Sequence, residues 1–145
     1  MKDYNPFMHT AEHILNRTMV NMFGCERSFT NHLERKKSKC DYRFPRPLTS
    51  EEEKNIEALV NEQISKNLEV TELFLTKDDT MRRCKLDRLP DDAGENVRLV
   101  LVGDYDICPC IGSHVTNTSE IGRFVFGSST FEDGVLRIRF KLNKG

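Results

Sequence analysis

Apolar residues recur at helical spacing near the start of the chain. Phe7, Ala11, Ile14, Leu15, Met19 and Met22 share one face of a predicted helix running from about Met8 to Phe23, and Gly24 can end it. At about 100° per residue, His9 and His13 stand about 40° apart on this helix, roughly opposite the centre of the apolar arc. The pattern therefore places both histidines off the core-facing stripe. A second run with the same period lies in PRPLTSEEEKNIEALVNEQISKNL. There Thr49 and Glu52 form a capping box, acidic residues load the first turn, and Ile56, Leu59, Val60 and Ile64 make the apolar stripe.

Elsewhere the period is two. Short strands are predicted near Arg27–Leu33 and Lys39–Phe44, around a basic turn, and another around Val70–Thr76. A short helix near Asp78–Leu86 and a polar loop, LPDDAGEN, come next, and VRLVLVGD then reads as a central strand. The stretch after it, CPCIGSHVTNTSE, reads as a loop. IGRFVFGSS and GVLRIRFKL are two alternating strands around FEDG, whose Asp133-Gly134 pair is a hairpin signal. Strands and helices without strict alternation imply an α+β fold, with a mostly antiparallel β-sheet packed with two main helices. No linker or repeat divides the chain, so residues 1–145 are expected to form a single domain.

Composition narrows the classes. Of 145 residues 37% are apolar and 31% charged, which suits a hydrated globular surface. No apolar stretch approaches the roughly 18–20 residues of a membrane span. Five cysteines at irregular spacing, after an N-terminus with no charged-then-apolar layout, favour reduced thiols and a cytoplasmic location over a disulfide framework. The net charge of −1, from 22 basic and 23 acidic residues, gives no overall basic excess. The cations are clumped, however, in ERKKSK, RRCK and RIRFK, which can build a local basic rim.

Two pairs of ligand-type residues change the picture: His9-x-x-x-His13 on the first helix and Cys110-x-x-x-His114 in the loop. Side chains at i and i+4 of a helix lie one turn apart on one face, so two imidazoles there can grip one ion. Gly112 lets the loop fold both of its donors inward. Three imidazoles and one thiolate are borderline-soft donors that suit zinc, placed between the N-terminal helix and the C-terminal loop. Cys108 would lie on the same side of an extended segment as Cys110, as a substitute ligand or a reduced packing thiol. HTAEH also has the His-x-x-Glu-His spelling of the inverted zinc peptidases, with Glu12 as base. That reading leaves Cys110 and His114 without a role.

HTAEHIL followed by CIGSHVTNTSEIGRFVF resembles the editing domain shared by alanyl- and threonyl-tRNA synthetases, and most nearly the short freestanding AlaX proteins that deacylate mischarged alanine tRNA. GCERSFTNH, the second helix and the closing DGVLRIRFKL are similar as well, so the likeness covers nearly the whole chain. It implies Zn2+ held by His9, His13, Cys110 and His114. It also implies that Thr30, in SFTNH, reads the amino-acid side chain. The synthetase form of the second motif is Cys-Gly-Gly-Thr-His, so Ile111 and Ser113 alter the floor of the pocket. The implied activity is zinc-dependent hydrolysis of mischarged tRNA, seryl-tRNA(Ala) in the first place. The partner is the aminoacylated 3′ end of tRNA(Ala), with Arg35, Lys36, Lys37, Arg82, Arg83 and Arg123 as the basic rim. The alternative is a non-catalytic zinc module that binds RNA or protein.

Overall fold

Helix α1 (Pro6–Phe23) is enclosed on nearly all sides: every residue from Met8 to Asn16 is buried, polar ones included. The computed structural model describes residues 6–34, 36–76, 78, 96–110 and 112–143. After α1 come strands β1 (Thr30–Leu33) and β2 (Ser38–Arg43), helix α2 (Ser50–Ser65), and strands β3 (Val70–Thr76), β4 (Asn96–Val102) and β5 (Asp106–Pro109). A 3₁₀ turn (Thr118–Glu120) then leads into β6 (Arg123–Glu132) and β7 (Val135–Asn143). The strands make two antiparallel sheets, ordered β1-β2-β7-β6 and β3-β4-β5. This is the expected α+β class.

The four-stranded sheet has one dry face, as alternation requires. Cys40, Tyr42, Leu136, Ile138 and Phe140 point inward and are almost wholly buried, joining Ile14, Leu15 and Met19 of α1 and Ile56 and Val60 of α2 in one core. Phe124 stacks on Phe140 with ring centroids 5.1 Å apart. Emptying either position would cost about 3–5 kcal/mol, the usual range for deleting a buried phenyl ring. Helix α2 lies along β6, where the Asn61 amide pairs with both backbone groups of Phe124 and the Phe126 N–H donates to Glu57. Its start is the capping box read from the sequence, since Thr49 Oγ1 accepts the Glu52 N–H and Glu52 accepts the Thr49 N–H. Asp133 and Gly134, at φ of 50° and 78°, turn β6 into β7 with the left-handed pair that a two-residue hairpin demands.

Two expectations need correction. The segment before Cys110 is not all loop, because Asp106–Pro109 pairs with β4 from Val102 back to Leu99. Four residues ending in proline are too short to show a period. His9 and His13 are also buried, at 5% and 2% exposure, although they lie away from the apolar arc. The second sheet covers that side: α1 touches both β4 and β5. The predicted helix near Asp78–Leu86 and the LPDDAGEN loop lie outside the described residues. Among the described residues no helix is long and apolar enough to cross a membrane.

Candidate metal centre

His9 and His13, one helical turn apart on α1, meet Cys110 and His114 from the segment after β5. One ligand atom from each residue lies within 4.8 Å of all the others. The three imidazoles surround the sulfur. His9 and His114 stack with centroids 4.0 Å apart, while His13 stands edge-on to both, at 5.0 Å and 4.5 Å. Cys110 Sγ is 3.2 Å from His9 Nε2.

Each ring is oriented by a second contact. His9 Nδ1 donates to the Ser113 carbonyl at 3.0 Å, which turns Nε2 toward Cys110. His114 Nδ1 lies 2.9 Å from Thr10 Oγ1, and that hydroxyl also accepts the Val115 N–H at 3.2 Å. With Nδ1 so engaged, His114 Nε2 is buried with no hydrogen-bond partner. A buried orphan nitrogen is costly unless something binds it. His13 turns Nδ1 toward Asp106 Oδ2 at 3.4 Å, an ion-pair distance. Asp106 is fully buried and also receives Arg17 at 3.0 Å and Arg27 at 2.8 and 3.2 Å.

The loop is pinned from outside. Arg98 of β4 donates to the carbonyls of Cys110 and Gly112, both at 2.9 Å, and is itself held by Glu72 at 2.7 Å. Beyond His114, Glu120 Oε2 accepts from the Thr116 and Asn117 N–H groups and from the Thr116 hydroxyl. Thr118 Oγ1 donates to the Ile64 carbonyl at the end of α2. The donors are thus fixed by two helices and a sheet before any ligand binds. Such pre-arrangement is what a metal site needs.

Electrostatics agrees with the donor chemistry. Burial by itself would raise the Cys110 thiol, but the neighbouring imidazoles of His114, His13 and His9 outweigh it and bring the group down to about 3. Burial would lower His13, yet Asp106 and the Cys110 thiolate push it up to about 9. For His114, burial and the neighbouring imidazoles win over Cys110, and it drops to about 4. Burial drives Cys108 the other way, up to about 12 against the pull of Arg27, so this sulfur stays a protonated thiol. It lies outside the four-residue cluster and donates weakly to its own neighbour, the Pro109 carbonyl. A preformed thiolate, a neutral imidazole with an orphan nitrogen and two further imidazoles form a donor set that fits zinc. Because zinc is held by deprotonated ligands, His13 would release its proton on binding.

The remaining expected residues are not gathered here. Thr30 is exposed and sits opposite Asp41 on the solvent-facing side of the four-stranded sheet, the side away from α1. The inward-facing polar groups of that segment are Ser28 and Asn31. Ser28 donates from Oγ to Asn31 at 2.5 Å and from its N–H to Asn16 of α1, and its hydroxyl approaches the buried Cys40. Asn16 in turn donates to Glu12 at 2.6 Å, which ties the peptidase-like glutamate into a structural network. Lys36 and Lys37 are exposed in the β1–β2 turn, and Arg123 is exposed with Glu57 3.8 Å away. Arg35, Arg82 and Arg83 lie outside the described residues, as does Ile111. Sequence reading missed Thr10, Asp106, Arg27 and Arg98. Only Thr10, set inside the HTAEH motif, carried a positional hint.

Comparison with known proteins gives the same direction. The family described as the threonyl and alanyl tRNA synthetase second additional domain matches residues 97–139, which hold Cys110 and His114. Over 132 residues the chain is 36% identical to an alanine–tRNA ligase of Halalkalibacterium halodurans, covering 90% of this chain and 15% of that protein. It is 35% identical over 125 residues to an alanine–tRNA ligase of Leptospira interrogans, covering 81% of this chain and 12% of that protein. A third, from Ligilactobacillus salivarius, is 33% identical over 132 residues, covering 90% of this chain and 15% of that protein. The chain therefore corresponds to a small part of these curated relatives. Its residues 97–139 belong to the threonyl and alanyl tRNA synthetase second additional domain family, within a chain that aligns over most of its length with one part of these ligases.

Proposed function

We propose that this domain is a zinc-dependent deacylase that hydrolyses mischarged tRNA, with seryl-tRNA(Ala) as its first substrate. The observation that carries the reading is the convergence of His9, His13, Cys110 and His114 in a chain whose relatives are alanine–tRNA ligases. Bound there, zinc would supply a Lewis-acidic centre that anchors the aminoacyl ester. The protein's own part is orientation. The Ser113 carbonyl and Thr10 fix which nitrogens of His9 and His114 face the site, Asp106 holds His13, and Arg98 keeps the Cys110 carbonyl turned away. With four protein donors, a bound zinc would have to expand its coordination to take the substrate's amino group, a role that would position the ester without generating hydroxide.

Selectivity rests on a hydroxyl that pairs with serine and would be left unpaired by alanine. The resemblance assigns that role to Thr30. Its placement on the solvent-facing side of the sheet favours Ser28 instead, whose N–H meets Asn16 of α1 and whose hydroxyl meets Asn31 and Cys40. A deacylation panel of seryl-, glycyl- and alanyl-tRNA(Ala), with seryl-tRNA(Thr), tests the function. Hydrolysis of the first with sparing of the third is the expected result, and inactivity on all four would leave a non-catalytic zinc module.

A further inference from the structure

The outer face of the four-stranded sheet carries a charge pattern that neither the metal centre nor the fold requires. Register places His32 opposite Lys39, and Lys39 opposite Arg139, so three basic-type side chains stand in one row across β1, β2 and β7. Neighbouring strands lie about 4.8 Å apart, and like charges directly opposite one another destabilise a sheet. The next row shows the usual remedy: Asp41 stands opposite Arg137 and accepts two hydrogen bonds from it, at 2.7 and 2.9 Å. The His32–Lys39–Arg139 row has no carboxylate directly opposite any of the three, and Asp41, which feels the charges of Lys39 and His32, already serves Arg137. Among the described residues Lys39 and Arg139 form no ion pair, and Arg139 has only a 3.5 Å contact with Thr130. The row lines a pocket of about 160 Å³ together with Lys37, Ser38 and Glu34. Ser38 Oγ is engaged with the backbone of Glu34, which shapes the turn that brings Lys37 over the row.

We propose that this pocket is a phosphate-binding site, and that its occupant is the sugar-phosphate backbone of the tRNA whose 3′ end the metal centre serves. Lys37, Lys39 and Arg139 supply three positive charges against the single carboxylate of Glu34, on a chain whose net charge is −1. Concentrating cations where they repel one another makes sense when a polyanion neutralises them on binding. Phosphate contacts position a nucleic acid without reading its bases, which is the service a hydrolase acting at one end of a tRNA needs. The choice of tRNA rests on the editing reading; the anion site follows from the charge row alone.

The test uses unacylated tRNA(Ala) and the full chain. Affinity is measured against salt for the wild type, for Lys37→Gln/Lys39→Gln/Arg139→Gln, and for Arg137→Gln as the control from the neutral row. Each lost phosphate contact should flatten the logarithmic salt slope by about one unit, so the triple variant should lose about three and Arg137→Gln about none. Because the row repels itself, the triple variant should melt no lower than the wild type, an effect opposite to that of a structural cluster. A triple variant with the wild-type slope overturns the proposal, as does absence of tRNA binding at micromolar protein. Binding of poly-glutamate with no binding of tRNA overturns the nucleic-acid assignment. Hydrolysis of a seryl-adenosine ester, which carries no duplex, reports on the editing reading separately: its failure would remove that reading while leaving the salt-slope result standing.

Discussion

Gly112 lies against the imidazole of His9 so closely that a Cβ at that position would fall 2.2 Å from His9 Cε1 and 2.6 Å from Nδ1. No real Cβ approaches another atom so nearly, and His9 cannot yield without breaking its hydrogen bond to the Ser113 carbonyl. Gly112→Ala is therefore expected to rotate His9 out of the cluster and weaken zinc binding. The loss should be about 10–100-fold, the range seen when a group supporting a ligand is disturbed. Competition against a chromophoric chelator measures it, and wild-type affinity in the variant would show that His9 is not a ligand.

Asp106 is the buried counter-charge for Arg17, Arg27 and His13. Asp106→Asn leaves those cations facing a neutral amide at a fully buried position. A loss of about 3 kcal/mol is expected on urea unfolding, as when one partner of a buried ion pair is removed. Zinc affinity should fall as well, since His13 loses the group that orients it. A fully stable variant would mean that the arginines find other partners.

The side-chain reader can be separated by two substitutions. Ser28→Ala should lower hydrolysis of seryl-tRNA(Ala) by about 1–3 kcal/mol in apparent activation free energy and narrow its preference over alanyl-tRNA(Ala). Thr30→Val should change neither, because its side chain faces solvent on the far side of the sheet. Zinc content should hold in both. If Thr30→Val alone alters selectivity, the position implied by the family resemblance is the reader after all.

How much of this was legible beforehand depends on the kind of signal. The α2 cap was readable because Thr49 and Glu52 act through neighbours three residues apart, and the Asp133-Gly134 hairpin because it is a dipeptide. The four donors were readable as two i, i+4 pairs. The groups that hold them were not, since Asp106 meets His13 across 93 residues of chain and Arg98 acts on carbonyls, which have no spelling. The histidine-bearing face of α1 looked solvated for a related reason: hydrophobic periodicity shows where apolar side chains cluster, but a second sheet can bury a polar face too. Thr30 and Asn31 point to opposite faces of the sheet, a difference that a motif match does not carry.

The capping box gives a pH prediction away from the metal. Hydrogen bonding to Arg46 and the Thr49 N–H brings Glu52 down to about 2. A carboxylate lowered in the folded state stabilises it above its unfolded pKa of about 4.3, and that contribution is lost as pH falls toward 2. The gap in melting temperature between the wild type and Glu52→Gln should thus be full above pH 5 and close on acidification. Thr49→Ala should cost about 1 kcal/mol near neutral pH, as for other N-cap deletions. A gap that is constant with pH would mean that Glu52 acts by geometry alone.

The central claim is that the His9–His13–Cys110–His114 cluster holds a zinc ion on which deacylation depends. Its most direct test is the rate of seryl-tRNA(Ala) hydrolysis by one preparation in three states: as isolated, stripped by chelator, and restored with one equivalent of zinc, with circular dichroism followed throughout. We expect activity to vanish in the stripped protein while the fold persists, and to return with a single equivalent. Full activity in stripped protein that remains folded and metal-free would contradict the account.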